Sequence, residues 1–201
     1  MPFPFTATAL EPGRYEPEGI YLSRPFPDSL PADVPITQLF GENPDFYRQF
    51  TYDGTPLRGH NGIDFGINTG TDVLATDDGQ VIWVGYEAGG FGNYVKLQHR
   101  WGESLYAHLG QATVQTGAQV ARGQRVGISD NSGASFGPHL HFGIRVFPYV
   151  RADGWGGFAD PLDYMDPADI RLPSYAEGTR GGGDQTQLPR MAIERPGMRR
   201  P

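Results

Sequence analysis

The 201-residue chain contains no cysteine, which excludes disulfide scaffolds, thiolate catalysis and zinc fingers built on cysteine. Positive charge is also scarce: 16 Lys and Arg against 23 Asp and Glu leave a net charge of −7. Because phosphate binding needs a basic surface, this balance argues against a nucleic-acid partner. Apolar runs are short as well, and none approaches the roughly 18 to 20 residues that a membrane span requires. The sequence therefore predicts neither a nucleic-acid partner nor a membrane span.

Glycine and proline, by contrast, are abundant, with 29 and 18 residues. Both interrupt regular structure, so their number favours short strands joined by turns over long helices. Hydrophobic residues make up 38% of the chain, which is enough for a core, and the length suits one ordinary domain with irregular ends. The composition predicts a mainly β protein.

The hydrophobic pattern divides the chain into three parts. Residues 1–35 are rich in proline and aromatic residues without periodicity, and we predict an extended N-terminal arm that packs against the body or forms a partly ordered leader. Residues 36–166 contain the predicted domain, in which short apolar runs bounded by glycine indicate strands. Residues 167–201 form a C-terminal extension, predicted to be disordered from about residue 176 because it is polar and rich in glycine and proline.

The hydrophobic pattern predicts the positions of the strands, and the sequence contains one weak internal repeat. A short helical turn is expected in residues 45–50, and the predicted strands are Val73–Ala75, Gly79–Gly85, Asn93–Gln98, Ser104–His108 and His139–Val146. Residues 70–81 and 117–126 repeat a valine-containing strand between glycine turns. Biotin and lipoyl carriers use similar repeats with a lysine at the hairpin tip. Lys96, the one lysine of this chain, lies inside a predicted strand instead, so the carrier interpretation fails.

Two of the five histidines are separated by a single residue. His139 and His141 lie in an alternating segment, so both imidazoles point to one face of a predicted strand, roughly 7 Å apart. They can converge on one zinc ion, or one can bind it while the other serves a metal-bound water. Alternatively, they are two half-buried polar residues on the face opposite Leu140 and Phe142.

A second candidate pair is His60 and Asp64. In a straight strand these positions lie about 13 Å apart, too far to share a metal whose ligands lie at about 2.0 to 2.2 Å. The intervening Asn61 and Gly62 favour a turn or bulge with positive φ, which would bring both side chains to one centre. Alternatively, Asp64 is a carboxylate that caps a turn.

Taken together, these segments supply two histidines and one carboxylate from two strands. This donor set suits Zn²⁺ and leaves a fourth position open for water, as in catalytic rather than structural zinc sites. Two neutral imidazoles and one carboxylate leave such a site with a net charge of about +1, which helps to lower the pKa of a bound water and to stabilise an oxyanion.

Three motifs in order make the chain resemble the LytM/lysostaphin family of zinc metallo-endopeptidases. They are His60-x-x-x-Asp64, Tyr106-Ala107-His108-Leu109 and Gly137-Pro138-His139-Leu140-His141-Phe142. The framework between them is similar too, in Gly62-Ile63-Asp64-Phe65, Asp78-Gly79-Gln80-Val81 and Gly90-Phe91-Gly92-Asn93. The resemblance covers residues 36–166. It implies a compact antiparallel β-sheet or sandwich of the lysostaphin type, built like a duplicated hairpin.

The resemblance also implies a role for each site residue. His60, Asp64 and His141 would be the ligands of one Zn²⁺ per chain. His108 and His139 would be catalytic: they would polarise the zinc-bound water, hydrogen-bond the oxyanion and protonate the leaving amine. The sequence does not divide these steps between the two histidines.

The activity that the resemblance implies is hydrolysis of peptide bonds in the cross-links or bridges of bacterial peptidoglycan. Members of the family cut Gly-Gly bridges or D-Ala–diaminopimelate cross-links, and the sequence does not decide between them. The alternative is a non-catalytic cell-wall-binding or virion-structural module of the same fold. Such degenerate relatives usually lack one of the five site residues, all of which are present here. An unrelated periplasmic zinc-binding protein is a third interpretation.

His99, at a predicted strand end, is expected to be structural.

The expected place of action is the bacterial cell wall, either outside the cell, in the periplasm or from a virion. The first 19 residues lack a basic start and an uninterrupted apolar stretch, so no signal peptide is visible. This suits a phage product or a chain whose leader has been trimmed. From residue 176 onward, five Arg against three acidic residues predict contact with a virion or an anionic wall polymer, which salt would weaken.

Overall fold

The computed structural model of the protein describes residues 19–31 and 34–166, which consist mainly of short strands. The strands are β1 (Ile36–Gln38), β2 (Thr51–Tyr52), β3 (Thr55–Pro56), β4 (Ile63–Phe65), β5 (Asp72–Leu74), β6 (Gly79–Glu87), β7 (Gly92–His99), β8 (Gly102–Ala112), β9 (Gln119–Val120), β10 (Arg125–Ser129) and β11 (Leu140–Val146). The helices are single turns: α1 (Pro44–Tyr47) and a 3-10 turn (Pro161–Tyr164).

Nine of these strands form one antiparallel sheet, and β2 and β3 form a separate hairpin. The order along the main path of the sheet is β1-β4-β11-β8-β7-β6-β9, and β10 pairs with both β8 and β5. The prediction of a mainly antiparallel β fold is confirmed.

Each predicted strand overlaps an observed one, although three strands run further than the pattern indicated, β7 by one residue at each end. β6 continues two residues beyond Gly85, and β8 continues to Ala112 rather than ending at His108. β8 can be long because β11 and β7 flank its first part and β10 flanks its second part. His139 lies just before β11, where it forms an isolated bridge with Asp130.

The two faces of the central strands differ in what covers them. On one face, alternate residues join the main hydrophobic core, among them Val95, Leu97, Tyr106, Phe142 and Ile144. On the other face, Leu105 and Ala107 of β8 form a smaller apolar cluster with Phe158. Because successive strand residues point to opposite faces, Asp64 and His141 project from this second face. It forms the floor of the candidate site.

Residues 19–31 of the predicted N-terminal arm pack against the domain. Ile20, Leu22 and Phe26 are almost completely buried in the main core. The Phe26 ring meets the Phe65 ring edge-on, with 5.1 Å between centroids, and the Leu22 amide donates to the Tyr164 carbonyl. This part of the arm therefore belongs to the core. The predictions for residues 1–18, and for the extension beyond residue 166, lie outside the described residues.

Deleting residues 1–35 should lower the melting temperature. The deletion removes four side chains from the core, those of Ile20, Leu22, Phe26 and Val34. Each fully buried side chain of this kind stabilises the fold by about 1.5 to 3 kcal/mol. Deleting residues 176–201 should leave the melting temperature unchanged, because that polar segment offers few apolar side chains to bury. Thermal unfolding of both truncated proteins beside the full chain measures the difference. A first truncation as stable as the full chain would contradict the role assigned to the arm.

Candidate active site

Three side chains of the second face converge beside β4 and β11. Asp64 of β4 and His141 of β11 are directly opposed across the antiparallel pair, so their side chains leave the sheet together. His60 approaches from the segment that precedes β4. The His60 Nε2, Asp64 Oδ1 and His141 Nδ1 atoms lie 2.9 to 3.1 Å from one another. The structure thus brings together the three residues that the sequence predicted as metal ligands.

The cluster fits a metal ion in its spacing and in its donor chemistry. Ligand atoms at about 2.0 to 2.1 Å from a tetrahedral zinc ion lie roughly 3.4 Å from one another, slightly further than the spacing found here. The three side chains are buried, and their donor atoms form a group that can hold a metal ion. His60 Nδ1 donates to the Leu39 carbonyl at 3.1 Å, which leaves the lone pair of Nε2 facing the cluster.

The backbone between His60 and Asp64 differs from the one expected. The prediction of positive φ at Asn61 and Gly62 is wrong, because neither residue has φ in the left-handed region. The chain bends there and then enters β4. Glycine is required for space: a Cβ at Gly62 would lie 2.6 Å from the carbonyl oxygen of Phe142 and 2.8 Å from His141 Nε2. The close approach of two strands therefore explains this glycine.

Burial and mutual proximity set the protonation of the cluster. Burial alone would raise the pKa of the Asp64 carboxyl, but the neighbouring His60 and His141 outweigh it and hold that pKa well below its usual value. Burial lowers the pKa of the His141 imidazole to about 4, and the Asp64 carboxylate reverses this only in part. Ionised carboxylates and neutral imidazoles are the forms that bind metal ions, so at neutral pH these two ligands need lose no proton.

A β-bulge in β8 aims His108 at the same place. Val95 and Asn93 of β7 pair with Tyr106 and Leu109 of β8, so three steps along β8 oppose two steps along β7. His108 has a φ of 57°, in the left-handed region that residues other than glycine rarely adopt. In a regular strand His108 would point with Tyr106 into the main core. The bulge turns its side chain to the opposite face.

His108 and His139 lie side by side next to the cluster. Their ring centroids are 4.6 Å apart, and His139 Nε2 lies 3.6 Å from Asp64 Oδ2. His108 Nδ1 donates to the Ser132 carbonyl and His139 Nδ1 to the Gly137 carbonyl, both at 2.8 Å. In the neutral form of either ring, this hydrogen bond places the proton on Nδ1 and the lone pair on Nε2. Burial, assisted by the neighbouring histidines, lowers the pKa of His108 to about 3, so this ring is neutral at pH 7.

Four of the five residues, Asp64, His108, His139 and His141, line one groove, and His60 is fully buried. Side chains from α1, from the β6–β7 turn and from residues 134–137 line it together with the second face of the sheet. Phe136 is 92% exposed, yet its ring lies 5.8 Å from the ring of Phe46 in α1. Two loops that line the groove contact each other, since the Ala134 amide donates to the Gly90 carbonyl.

Two aromatic residues that support the cluster were not predicted from the sequence. The Tyr47 ring lies over His60 with 5.2 Å between centroids, and its hydroxyl donates to Gln38 Oε1. Phe91 packs against His141 at 5.4 Å. In the sequence, Tyr47 lies in the expected helical turn and Phe91 in a glycine-rich run. Neither pattern distinguishes a residue that packs on a ligand from one that packs in a core.

His99 lies apart from this cluster, in a different set of contacts. Its Nδ1 donates to the Asp78 carbonyl at 2.7 Å, and the Ser104 hydroxyl lies 2.7 Å from its Nε2. The ring stacks on Trp101 with 4.6 Å between centroids. These contacts fix the turn between β7 and β8, a structural role.

Comparison with known proteins assigns the domain to a class and a family. An antiparallel β-sheet with two histidines and one carboxylate clustered in a groove is the arrangement of a metallopeptidase domain, a class that hydrolyses peptide bonds. Residues 58–153 match peptidase family M23, so the chain carries a domain of this family. The matched range contains all five site residues. The family resemblance inferred from the three motifs is confirmed.

Individual relatives share this domain but are longer proteins. The peptidoglycan DD-endopeptidase ShyA of Vibrio cholerae is 42% identical over 88 residues, 43% of this chain and 20% of that protein. The glycyl-glycine endopeptidase ALE-1 of Staphylococcus capitis is 40% identical over 125 residues, 61% of this chain and 33% of that protein. A solved structure, a zinc containing peptidase from Vibrio cholerae, is similar with a TM-score of 0.54 and 29% identity, over 71% of this chain and 39% of that chain. The chain thus spans about a fifth to a third of the length of these curated relatives.

Replacing any one of the three clustered donors should reduce metal binding. His60→Ala, Asp64→Ala and His141→Ala each leave two protein donors of three, which lowers affinity for a tetrahedral ion. Metal content of the dialysed proteins, measured by mass spectrometry, tests this. His99→Ala is a matched control that removes a buried imidazole outside the cluster and should keep the wild-type metal content. Full occupancy in all three cluster variants would reject the ligand assignment.

Metal-free protein should lose stability as the pH falls below about 6.5. Histidines of the unfolded chain take up protons near pH 6.5, whereas folded His108 and His141 do so at pKa values of about 3 and about 4. Within this window the unfolded state binds more protons, so each step down in pH favours unfolding. The melting temperature of the chelated protein between pH 8 and pH 4 measures the effect. His108→Gln should show a shallower decline, and a melting temperature independent of pH would contradict the burial of neutral imidazoles.

Proposed function

We propose that the protein is a zinc-dependent endopeptidase that hydrolyses peptide bonds in bacterial peptidoglycan. The observation that carries the proposal is the convergence of His60, Asp64 and His141 at 2.9 to 3.1 Å. His108 and His139 line the same groove as Asp64 and His141. The relatives named as a peptidoglycan DD-endopeptidase and as a glycyl-glycine endopeptidase support this class of substrate.

Zinc is the metal that the donor set favours. Two imidazoles and one carboxylate suit zinc, whereas magnesium and calcium prefer oxygen ligands alone. The similar solved structure described as a zinc containing peptidase supports this choice. When bound, zinc supplies a Lewis acid and lowers the pKa of a coordinated water. The protein's part is to hold the three donors together and to fix the His60 ring through the Leu39 carbonyl.

The two remaining histidines would carry protons. His108 and His139 each donate Nδ1–H to a backbone carbonyl, which fixes the ring and leaves Nε2 as a proton acceptor. An imidazole in this state can take a proton from an attacking water and pass it to the leaving amine. In its protonated state it can donate a hydrogen bond to a developing oxyanion. The low pKa of His108 makes it a strong proton donor once it is charged.

The substrate would be a peptide that lies along the groove. The small residues of the flanking loops, Gly90, Ala134 and Gly137, let a peptide backbone approach the cluster closely. Within residues 19–31 and 34–166, no helix is long and apolar enough to cross a membrane. The place of action would be the cell wall, and contact of the basic C-terminal extension with a wall polymer or virion stays a prediction.

Digestion of purified peptidoglycan tests the proposal directly. Walls of several chemotypes, treated with the zinc-loaded protein, should yield new amino and carboxyl termini that mass spectrometry can locate. These termini should be absent after chelation. Intact walls in every chemotype would reject the endopeptidase activity and would favour a non-catalytic wall-binding or virion-structural module of the same fold.

Single replacement of the two proton-carrying histidines should separate catalysis from metal binding. His108→Ala and His139→Ala should keep the metal and the fold while lowering kcat by about 100-fold or more, the scale typical of acid–base and oxyanion groups. Metal content, thermal unfolding and peptide hydrolysis would be measured on the same preparations. Loss of the metal in either variant would identify that histidine as a ligand instead.

A further inference from the structure

We propose that Lys96 forms a subsite for a free carboxylate of the substrate peptide, within one residue of the bond that is cut. The inference rests on the proposed function and adds a chemical class to it: anionic cross-link peptides rather than neutral oligoglycine bridges. Lys96 is the one lysine of the chain, and it lines the groove that contains the metal-binding cluster.

The register of the sheet sets the distance between Lys96 and the cluster. Lys96 of β7 pairs with Leu105 of β8, and Leu105 pairs with Gly143 of β11, so the three residues form one row across the sheet. His141 lies two residues along β11 from Gly143, on the same face. With strands about 4.8 Å apart and a rise of about 3.4 Å per residue, the Cα atoms of Lys96 and His141 are roughly 12 Å apart.

The Lys96 ammonium group points along β7 toward the row of paired residues that contains His141. Lys96 Nζ lies over the Tyr94 ring, 5.7 Å from the centroid. Tyr94 precedes Val95, whose partner Tyr106 is the neighbour of Ala107, and Ala107 pairs with His141. Because the flexible lysine stem spans roughly half of the distance between the two Cα atoms, the ammonium can reach a group one residue away from a peptide bond held at His141.

Two other cations near Lys96 already have carboxylate partners. Arg145 is only 2% exposed and contacts Glu103 at 3.1 Å, and Arg151 contacts Asp53 at 3.3 Å. Lys96 forms no ion pair with any residue in the described part of the chain. Burial lowers the pKa of its ammonium, and the positive charge of Arg145 acts in the same direction. The Glu103 and Glu87 carboxylates raise the pKa, but neither forms an ion pair with Lys96. A carboxylate from the substrate would supply that close partner.

The two substrate types differ in whether they offer such a group. In a D-Ala–diaminopimelate cross-link, the diaminopimelate residue keeps a free carboxylate on the carbon next to the amide nitrogen that is cut. An oligoglycine bridge has no carboxylate near its amide bonds. A hydrogen bond between charged groups of this kind changes affinity roughly ten-fold to hundred-fold.

A pair of synthetic cross-link peptides, alike except for a carboxylate or a carboxamide at this position, tests the inference. The zinc-loaded wild type should cleave the carboxylate peptide with a kcat/KM about ten-fold higher or more, and salt should reduce this preference. Lys96→Met should bring the ratio of the two kcat/KM values close to one, whereas Lys96→Arg should retain most of it. Arg125→Met removes an exposed positive charge outside the groove and should keep the wild-type ratio. A wild-type ratio near one, or a ratio unchanged in Lys96→Met, would overturn the subsite.

Failure of the proposed activity would give a different result. If the wild type cleaves neither peptide, endopeptidase activity on these cross-links is rejected. The proposed carboxylate subsite is then tested by measuring how tightly the two peptides bind. Calorimetric titration of both intact peptides into His108→Ala, with and without Lys96→Met, gives the Kd values without cleavage. The carboxylate peptide should bind about ten-fold more tightly or better only where Lys96 is present. Equal Kd values for the two peptides would overturn the inference.

Discussion

The antiparallel pairing of β4 with β11 is the constraint on which the site depends. Its register places Asp64 opposite His141, and thus a carboxylate oxygen beside an imidazole nitrogen. The neighbours of these residues, Ile63, Phe65 and Phe142, point into the main core. A slip of one residue would turn the apolar side chains into the groove and the polar ones into the core. Hydrophobic burial on one face therefore holds the ligand geometry on the other.

Two local departures from regular structure complete the site. The missing Cβ of Gly62 lets the segment before β4 approach β11, and the bulge at His108 brings a third strand's histidine to the groove. A residue held in the left-handed region costs on the order of 1 to 3 kcal/mol. Backbone hydrogen bonds from His108 to Phe91, and from Asp130 to His108, hold this conformation. The strain lies at the point where the bulge turns the His108 side chain to the face of the groove.

Clustering three polar donors in a buried place has a cost that a metal ion offsets. Burial lowers the pKa of the His141 imidazole and so favours its neutral, metal-binding form. Burial also leaves two polar atoms beside the cluster, His141 Nε2 and Asn61 Nδ2, without a hydrogen-bond partner among the described residues. Metal binding and folding stability are therefore expected to be coupled, although the large core does not depend on the ion.

The sequence by itself determined the β class, the approximate strands and the five polar residues of the site. Apolar runs and the glycines that bound them are local features of the sequence, so they indicate strands directly. The spacing of the histidines and the carboxylate is likewise visible in the sequence as a motif. The tertiary structure decided what depends on pairing between distant segments. The close approach at Gly62, the reversal of His108 by one extra residue in β8 and the position of Lys96 relative to His141 follow from strand register. The packing of Tyr47 on His60 follows from contact between α1 and the segment before β4. Register is set by the burial of a whole face at once, and no short stretch of sequence contains that information.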